Sequence, residues 1–597
     1  MRRHPVQRWC ETSDMDQNVP LGPLADGRWS EADHVPPKTP SLWCRGNVGE
    51  VFPNVMTPMS SSLYMGHVAK GQADAGFRIG MTTSAQMKNF APDLAFSTGV
   101  FAGYLYGNVT IARAVASRSP GFTVEMVDEQ MFGLSDAPPH VKQKGEIDVR
   151  AVGRTMKLMA SVFMHPNDVP LTVDQKEIAA YTAAQPAPST ATVDELLATA
   201  ESVGPWAERM MHHLLLRSAL AGMSRSLLEQ VVANIGDADL VNKLTAGLGT
   251  IESAEPAHDL WRLGRMVTGD QSLTTMFDTD GQRPAALDER LRESVSANAF
   301  IAEFDAFRTR HGARGPDEWE LASPTWGSAP AIALAMIDRL RHAPADRDPV
   351  ATGRRLAAER SALAEGTRAT LSIAKRGIFD RAMRATAAYS AQREATKAAF
   401  MRATSPTREA LAELARRSPF DHADFFLLRF EEIRPVLSNL RSFEAVVAQR
   451  RARRDFLQAR VPPFWFEGPP IDPTTWPLRA ETRVVDENER VITGMAVCPG
   501  TATGPARVIT DPSDPRGIEP GDILVAPLTD PAWTPLFLSA AGVVVDVGAQ
   551  QSHAAIVARE LGIPAVVSAT GASTSIADGA LITVDGSRGT VTVHGPK

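Results

Sequence analysis

The sequence predicts a multidomain protein of mixed class, a large mainly α-helical region followed by a small α/β unit, and three observations predict it. From about residue 60 to 460 the chain is rich in Ala, Leu, Arg and Glu, and apolar residues return at three- and four-residue steps. That spacing puts one apolar stripe on a helix. A break follows with Pro462, Pro463, Pro469, Pro470, Pro473 and Pro477, a composition that resists helix and strand alike and makes a semi-stiff connector. Beyond about residue 488 the texture changes to short β-branched runs separated by Gly, Pro and Asp, the signature of strands.

The predicted layout is therefore a loosely ordered lead-in over 1–40, rich in Pro, Asp and Gly, a helical domain over 41–461, a Pro-rich linker over 462–487 and an α/β unit over 488–597. In the helical domain the stripe is clear over 194–203, 206–220 and 354–403. Frequent Pro and Gly predict many moderate helices rather than a long coiled coil. No repeat of solenoid length is present. In the α/β unit, 491–492, 506–509, 523–526, 543–547 and 565–568 read as strands. A final hairpin joins 581–584 to 590–594 through the turn at 585–589. One helix, 552–561, is stopped by Gly562 and Pro564.

Composition narrows the function classes. The chain has 597 residues, with 62 Lys plus Arg against 69 Asp plus Glu, a net charge of −7. That balance gives no general grip on a polyanion, so nucleic acid is not an expected partner. Cys10, Cys44 and Cys498 are far apart and form neither a disulfide framework nor a metal site, which fits a reducing cytoplasm. No stretch approaches the ~20 apolar residues of a spanning helix, and no apolar core follows the basic start as it would in a secretory signal. His212 and His213 are adjacent, so on a helix they point about a hundred degrees apart, and no metal ligand is assigned. The basic run 450–454 reads as a solvated helix face.

The chemistry concentrates at one place. A buried strand, 543–547, runs through a turn containing Gly548 into the helix that begins at Ser552, a natural N-cap. His553 then falls in the first helical turn, where unpaired N–H groups and the positive end of the helix dipole converge. Such a place favours phosphate and disfavours imidazolium. A histidine held neutral there is a nucleophile whose phosphorylated form meets donors already in place.

The segment 548–567, GAQQSHAAIVARELGIPAVV, resembles the phosphohistidine signature of the phosphoenolpyruvate-utilising enzymes, the family of phosphoenolpyruvate synthase and pyruvate phosphate dikinase. CPGTATGPARV (498–508), GDILV (521–525) and TDPAWTPLF (529–537) are similar to flanking family segments, the last closest to rifampicin phosphotransferases. Upstream, RGNVGEVFP (45–53), MTP (56–58), YGN (106–108), HGARGPDEWEL (311–321), PTW (324–326) and DFFL (424–427) resemble the rifampicin phosphotransferase middle domain in order. The resemblance implies a swivelling β/β/α phosphohistidine domain, with His553 as carrier and Gly548, Gln551, Ser552 and Thr529 around its phosphate. Ala549 and Gln551 depart from the Gly and Thr usual in relatives, and Ala313 stands where many relatives have a histidine.

In the relatives an ATP-grasp domain loads the histidine. Only about forty residues precede the first middle-domain motif here, fewer than a domain needs. The expectation is therefore a separate ATP-grasp subunit acting in trans, as in phenylphosphate synthase. ATP and magnesium are then expected only through that partner. A small organic acceptor with a hydroxyl is expected on the helical domain. Arg314, Asp317, Glu318 and Glu320 are the candidate acceptor-binding residues, since a guanidinium and carboxylates in a Gly-Pro turn can position a hydroxyl and take its proton; a salt-bridged loop is the alternative. A second function class stays open, a non-catalytic ligand- or partner-binding regulatory protein with a vestigial phosphohistidine domain.

Overall fold

The computed structural model describes residues 22–595 apart from 39, 47, 89, 118–122, 133–136, 142–147, 165–170, 238, 250, 439–442, 483–487, 511–516, 531–532 and 551. A mainly helical part is followed by a small sheet-containing unit, as the texture of the sequence predicts. Four helices carry the helical side of the site: α1 (Gly66–Ile79), α2 (Val203–Val232), α3 (Pro349–Thr370) and α4 (Ile373–Arg417). α2 packs along α4 on one side and against α1 on another. Met210, Met211, Leu216, Leu220 and Leu228 of α2 are all buried.

The expectation of moderate helices needs correction, because α4 runs for 45 residues with Pro406 inside it. An interior proline removes one backbone hydrogen bond and crowds the preceding turn, at a cost of about 3 kcal/mol. Phe400, Met401, Ala403, Ala410, Leu411 and Leu414 around it are fully buried, and that burial offsets the local cost. Local propensity loses to packing here.

The helical part also contains a sheet that periodicity did not reveal. β1 (Leu42–Cys44), β2 (Thr98–Phe101), β3 (Tyr104–Asn108) and β4 (Trp465–Glu467) form an antiparallel sheet in the order β2-β3-β1-β4. Trp43, Phe101, Tyr104, Tyr106, Phe466 and Trp476 make its aromatic core. Two expectations change with it. The Pro-rich stretch is no free connector, since Phe466 and Trp476 are buried and β4 pairs with β1; its residues 483–487 lie outside the described ones. The lead-in is packed where described: Ala32, Asp33 and His34 are buried, and Asp33 accepts from the N–H groups of Trp29, Ser30 and Gly103 at 2.9, 3.0 and 2.7 Å. Residues 1–21 lie outside the described ones.

The C-terminal unit is an eight-stranded sheet of β5 (Arg490–Thr493), β6 (Met495–Cys498), β7 (Thr501–Val508), β8 (Ile523–Ala526), β9 (Gly542–Val545), β10 (Ala565–Val567), β11 (Leu581–Asp585) and β12 (Thr590–Val593). The order is β5-β12-β11-β7-β8-β9-β10-β6, with β7, β8, β9 and β10 parallel and the remaining pairs antiparallel. Every residue of β8, β9 and β10 is buried, which is why these strands read as continuous apolar runs. The expected hairpin is present, Asp585 facing Thr590. Helices α5 (Thr534–Ser539) and α6 (His553–Leu561) lie at the face that meets the helical part.

The two parts share an apolar core. Trp533, Leu536, Phe537, Val557 and Leu561 join Leu260, Leu263, Phe304, Trp326 and Leu334 in one cluster. α5 packs on the helices Glu255–Gly269 and Pro330–Leu340, and α6 packs on α3. The basic run is corrected as well: Arg450 and Arg453 are buried, Arg450 pairing with Glu432 at 2.6 Å and Glu31 at 3.2 Å. Among the described residues, no helix is long and apolar enough to cross a membrane.

Candidate active site around His553

The local sequence builds the start of α6 as expected. Ser552 is extended (φ −65°, ψ 162°) and its Oγ accepts from the Ala555 N–H at 3.4 Å, capping the helix. Gly548 permits a close approach: a Cβ there would sit 2.9 Å from the Val567 Cβ. Its carbonyl accepts from the Ser568 hydroxyl at 2.5 Å. Gly562 ends α6 in the left-handed region at φ 63°, a conformation glycine adopts without strain.

His553 is 5% exposed. Its Nε2 lies 3.3 Å from the Thr534 Oγ1, and Phe537 meets the ring edge-on at 6.2 Å between centroids. These contacts come from its own unit. On the other side, the His553 N–H donates to the Glu50 Oε2 at 3.2 Å. Burial pushes the imidazole well below its ordinary range, and the positive charges of Lys397, Arg314 and Arg393 push it further. The ring is therefore neutral at physiological pH. Glu50 is pushed up to about 7 by burial, against the His553 N–H bond and the charges of Lys397 and Arg393. Its Oε1 is buried without a hydrogen-bond partner.

The expected acceptor residues separate into three kinds. Arg314 and Glu318 form a buried ion pair at 2.5 Å, with the Lys397 Nζ 3.6 Å from Glu318. Burial works against the Arg314 charge, and Glu318, with Glu394 and Glu252, more than compensates. Glu320 is saturated by its own chain: it accepts from the Thr57 N–H, the Thr57 Oγ1, the Ser60 Oγ and the Ala322 N–H at 2.9, 2.7, 2.6 and 3.0 Å. It braces the loop against the helix start at 58–60, a structural use of the carboxylate. Asp317 sits where the two units meet. Its N–H donates to Asp530 at 2.9 Å, its Oδ2 accepts from Asn54 at 3.3 Å, and its Oδ1 is buried without a partner. Burial, then the charges of Glu320 and Asp530, push it up to about 8.

Of the expected phosphate neighbours, Ser552 and Gly548 shape the helix start as described. Thr529 is fully buried with its Oγ1 unpartnered, and Gln551 lies outside the described residues. Ala313 packs against the apolar cluster that holds Trp319 and Phe400. Of the adjacent histidines, His213 is held by Asp174 at 2.8 Å.

Sequence reasoning missed four residues. Glu50 stood inside a quoted motif without a role, and Thr534 likewise. Arg393 and Lys397 are four apart on α4, hence on one helical face, but only the fold shows that this face meets His553.

With the geometry in view, comparison with known proteins is specific. The family model described as "Rifampicin phosphotransferase fourth domain" matches residues 212–394, and that of "PEP-utilising enzyme, mobile domain" matches 518–589. The chain is 30% identical over 368 residues to the prodigiosin synthesizing transferase PigC of Serratia marcescens, covering 60% of this chain and 40% of PigC. It is 30% identical over 387 residues to a rifampicin phosphotransferase of Streptomyces sp, covering 63% of this chain and 44% of the relative. It is 37% identical over 181 residues to the uncharacterized phosphotransferase YvkC of Bacillus subtilis, covering 29% and 21%. The chain thus spans less than half the length of these relatives. Residues 212–394 thus resemble a rifampicin phosphotransferase fourth domain and 518–589 the mobile domain of the PEP-utilising enzymes, and His553 lies within the second match.

Proposed function

We propose that the chain is a phosphotransferase component that carries a phosphoryl group on His553 from a nucleotide-binding partner to a hydroxyl of an organic acceptor held by the helical part. The observation that carries this reading is the buried imidazole at a capped helix N-terminus, between Thr534 of its own unit and Glu50 of the other, with the charges of Lys397, Arg314 and Arg393 acting against its protonation. In the tautomer with its proton on Nδ1, Nε2 accepts from the Thr534 hydroxyl at 3.3 Å, and release of that hydrogen bond frees the Nε2 lone pair to attack phosphorus. The cations that depress the imidazole also stabilise a transferring phosphoryl group, since preorganised positive charge acts most strongly where water is excluded.

The donor is a separate ATP-grasp subunit, which holds ATP and magnesium. His553 takes the β-phosphoryl group, and AMP and inorganic phosphate leave with the uptake of one water. In the second half-reaction the acceptor oxygen attacks phosphorus and the P–N bond breaks, returning the electron pair to Nε2. The acceptor proton goes to Glu50, whose Oε1 is unpartnered and whose affinity for protons, about 7, suits a general base near neutral pH.

His553 is covered by the helical part as well as by its own unit, so loading requires the mobile unit to move. Mixing the chain with ATP and candidate ATP-grasp partners and measuring AMP tests the reading. AMP released in proportion to wild-type chain, and lost with His553→Ala, is the expected result; equal AMP with His553→Ala overturns it.

A further inference from the structure

One turn beyond His553, α6 closes a cavity of about 30 Å³ against α2 and α4. Arg225 of α2, Arg393 of α4 and Arg559 of α6 line it, so two units place three guanidinium groups around one small space. The acidic lining is Glu560, whose oxygens accept from the Leu248 and Gly249 N–H groups at 2.9 and 3.1 Å. Arg225 bonds Glu229, Asn242 and Gln550 at 3.0, 2.9 and 3.3 Å. Arg559 reaches the neutral carbonyls of Gln550 and Val497 at 2.7 and 3.3 Å. The Thr386 Oγ1, in the cavity wall, is buried without a hydrogen-bond partner. Burial, then the Arg225 charge, lower Arg559 to about 9, and an anion beside it would offset both.

We infer that this cavity is an oxyanion subsite that receives an acidic group of the acceptor, a carboxylate or a phosphate, while the acceptor hydroxyl faces His553. The assignment of the anion to the acceptor rests on the phosphotransfer reading above. Guanidinium groups match carboxylate and phosphate geometry, and Thr386 supplies a further donor. Ile556 and Glu560 lie three and seven residues after His553, on the same face of α6. The rise along the helix is then roughly 5–10 Å, the reach of a small hydroxy acid. Because α6 supplies one wall and α2, α4 and Thr245, Leu248 and Ile251 the others, a bound anion also ties the mobile unit to the helical part.

Calorimetric titration of the full chain with inorganic phosphate tests the subsite without turnover. Wild type is expected to bind phosphate saturably, and benzoate, unlike benzyl alcohol, to displace it. Ser390 lies in the cavity wall, so Ser390→Asp places a carboxylate among the arginines. This variant is expected to weaken phosphate binding at least tenfold and to raise Tm in phosphate-free buffer, whereas the uncharged Ser390→Asn weakens binding less and does not raise Tm. No phosphate binding by wild type, or Ser390→Asp with lowered Tm and unchanged binding, overturns the subsite. Phosphate that benzoate does not displace assigns the cavity to free phosphate and overturns the acceptor assignment. His553→Ala is expected to bind phosphate as wild type does, so failure of the histidine chemistry and failure of the subsite are told apart.

Discussion

The two walls around His553 are made differently. The near wall, Thr534, Phe537, Ser552 and Gly548, comes from one short stretch and belongs to the unit that bears the imidazole. The far wall gathers Glu50, Arg314, Arg393 and Lys397 from three distant stretches of the helical part. If the mobile unit shuttles, the near wall travels with the ring and the far wall stays behind. Changes in the far wall should then impair transfer to the acceptor and spare loading, whereas changes in the near wall should affect both.

The largest effect is expected at the Arg314–Glu318 ion pair in the far wall. Arg314→Met leaves the buried Glu318 carboxylate with only the more distant Lys397 Nζ at 3.6 Å, and breaking a buried pair costs up to about 3–5 kcal/mol; denaturant unfolding measures it. Arg314→Leu combined with Glu318→Leu should recover part of that loss, because the buried carboxylate goes with its closest partner and only the partly exposed Lys397 loses a counter-ion.

Lys397→Met comes next. It removes one cation facing the phosphoryl group, and loss of a preorganised electrostatic contact lowers rate by about 10²–10³. Single-turnover transfer from phosphorylated chain to acceptor should fall by that factor, while the rate of loading stays unchanged. Equal losses in both half-reactions would contradict the division between the walls.

Ser552→Ala tests the near wall. Losing an N-cap costs about 1 kcal/mol, and here both half-reactions should slow together.

The smallest effect is a pH trend in docking. Asp317 and Glu50 hold protons more tightly when docked, at about 8 and about 7 against ordinary values of 3.8 and 4.5. The docked state therefore binds more protons than the parted one and loses stability as pH rises through those ranges. His553 acts oppositely, since its docked imidazole resists protonation and docking weakens as pH falls below 6.5. Between pH 6.5 and 8 only the carboxylate trend acts, so energy transfer between labels on the two units should decline. Asp317→Asn should flatten the decline, and Asn tolerates the φ of 49° found there.

The same contrast explains what was legible in the sequence. The C-terminal unit showed itself because its strands are buried runs bounded by turn residues and its helix has a cap, a stop and a motif in one window. β6 escaped, being four residues between two turns. In the helical part the stripe located α2, but frequent Pro and Gly argued against a helix as long as α4, which tertiary burial imposes. β1 and β4 are three-residue strands whose pairing joins positions some four hundred apart, and no local period encodes that. Arg314 and Glu318 drew notice as charged residues in a turn, yet their role as each other's partner follows only from packing. Glu50 and Lys397 meet His553 solely through the fold.

The central claim is that phosphate travels on the His553 ring. Loading the chain from β-labelled ATP through an ATP-grasp partner, digesting it under alkaline conditions that preserve a P–N bond, and mapping the label by mass spectrometry tests it most directly. The account predicts label on the peptide containing His553, at that ring, and none after His553→Ala. Label on any other residue, or undiminished label in the variant, would contradict it.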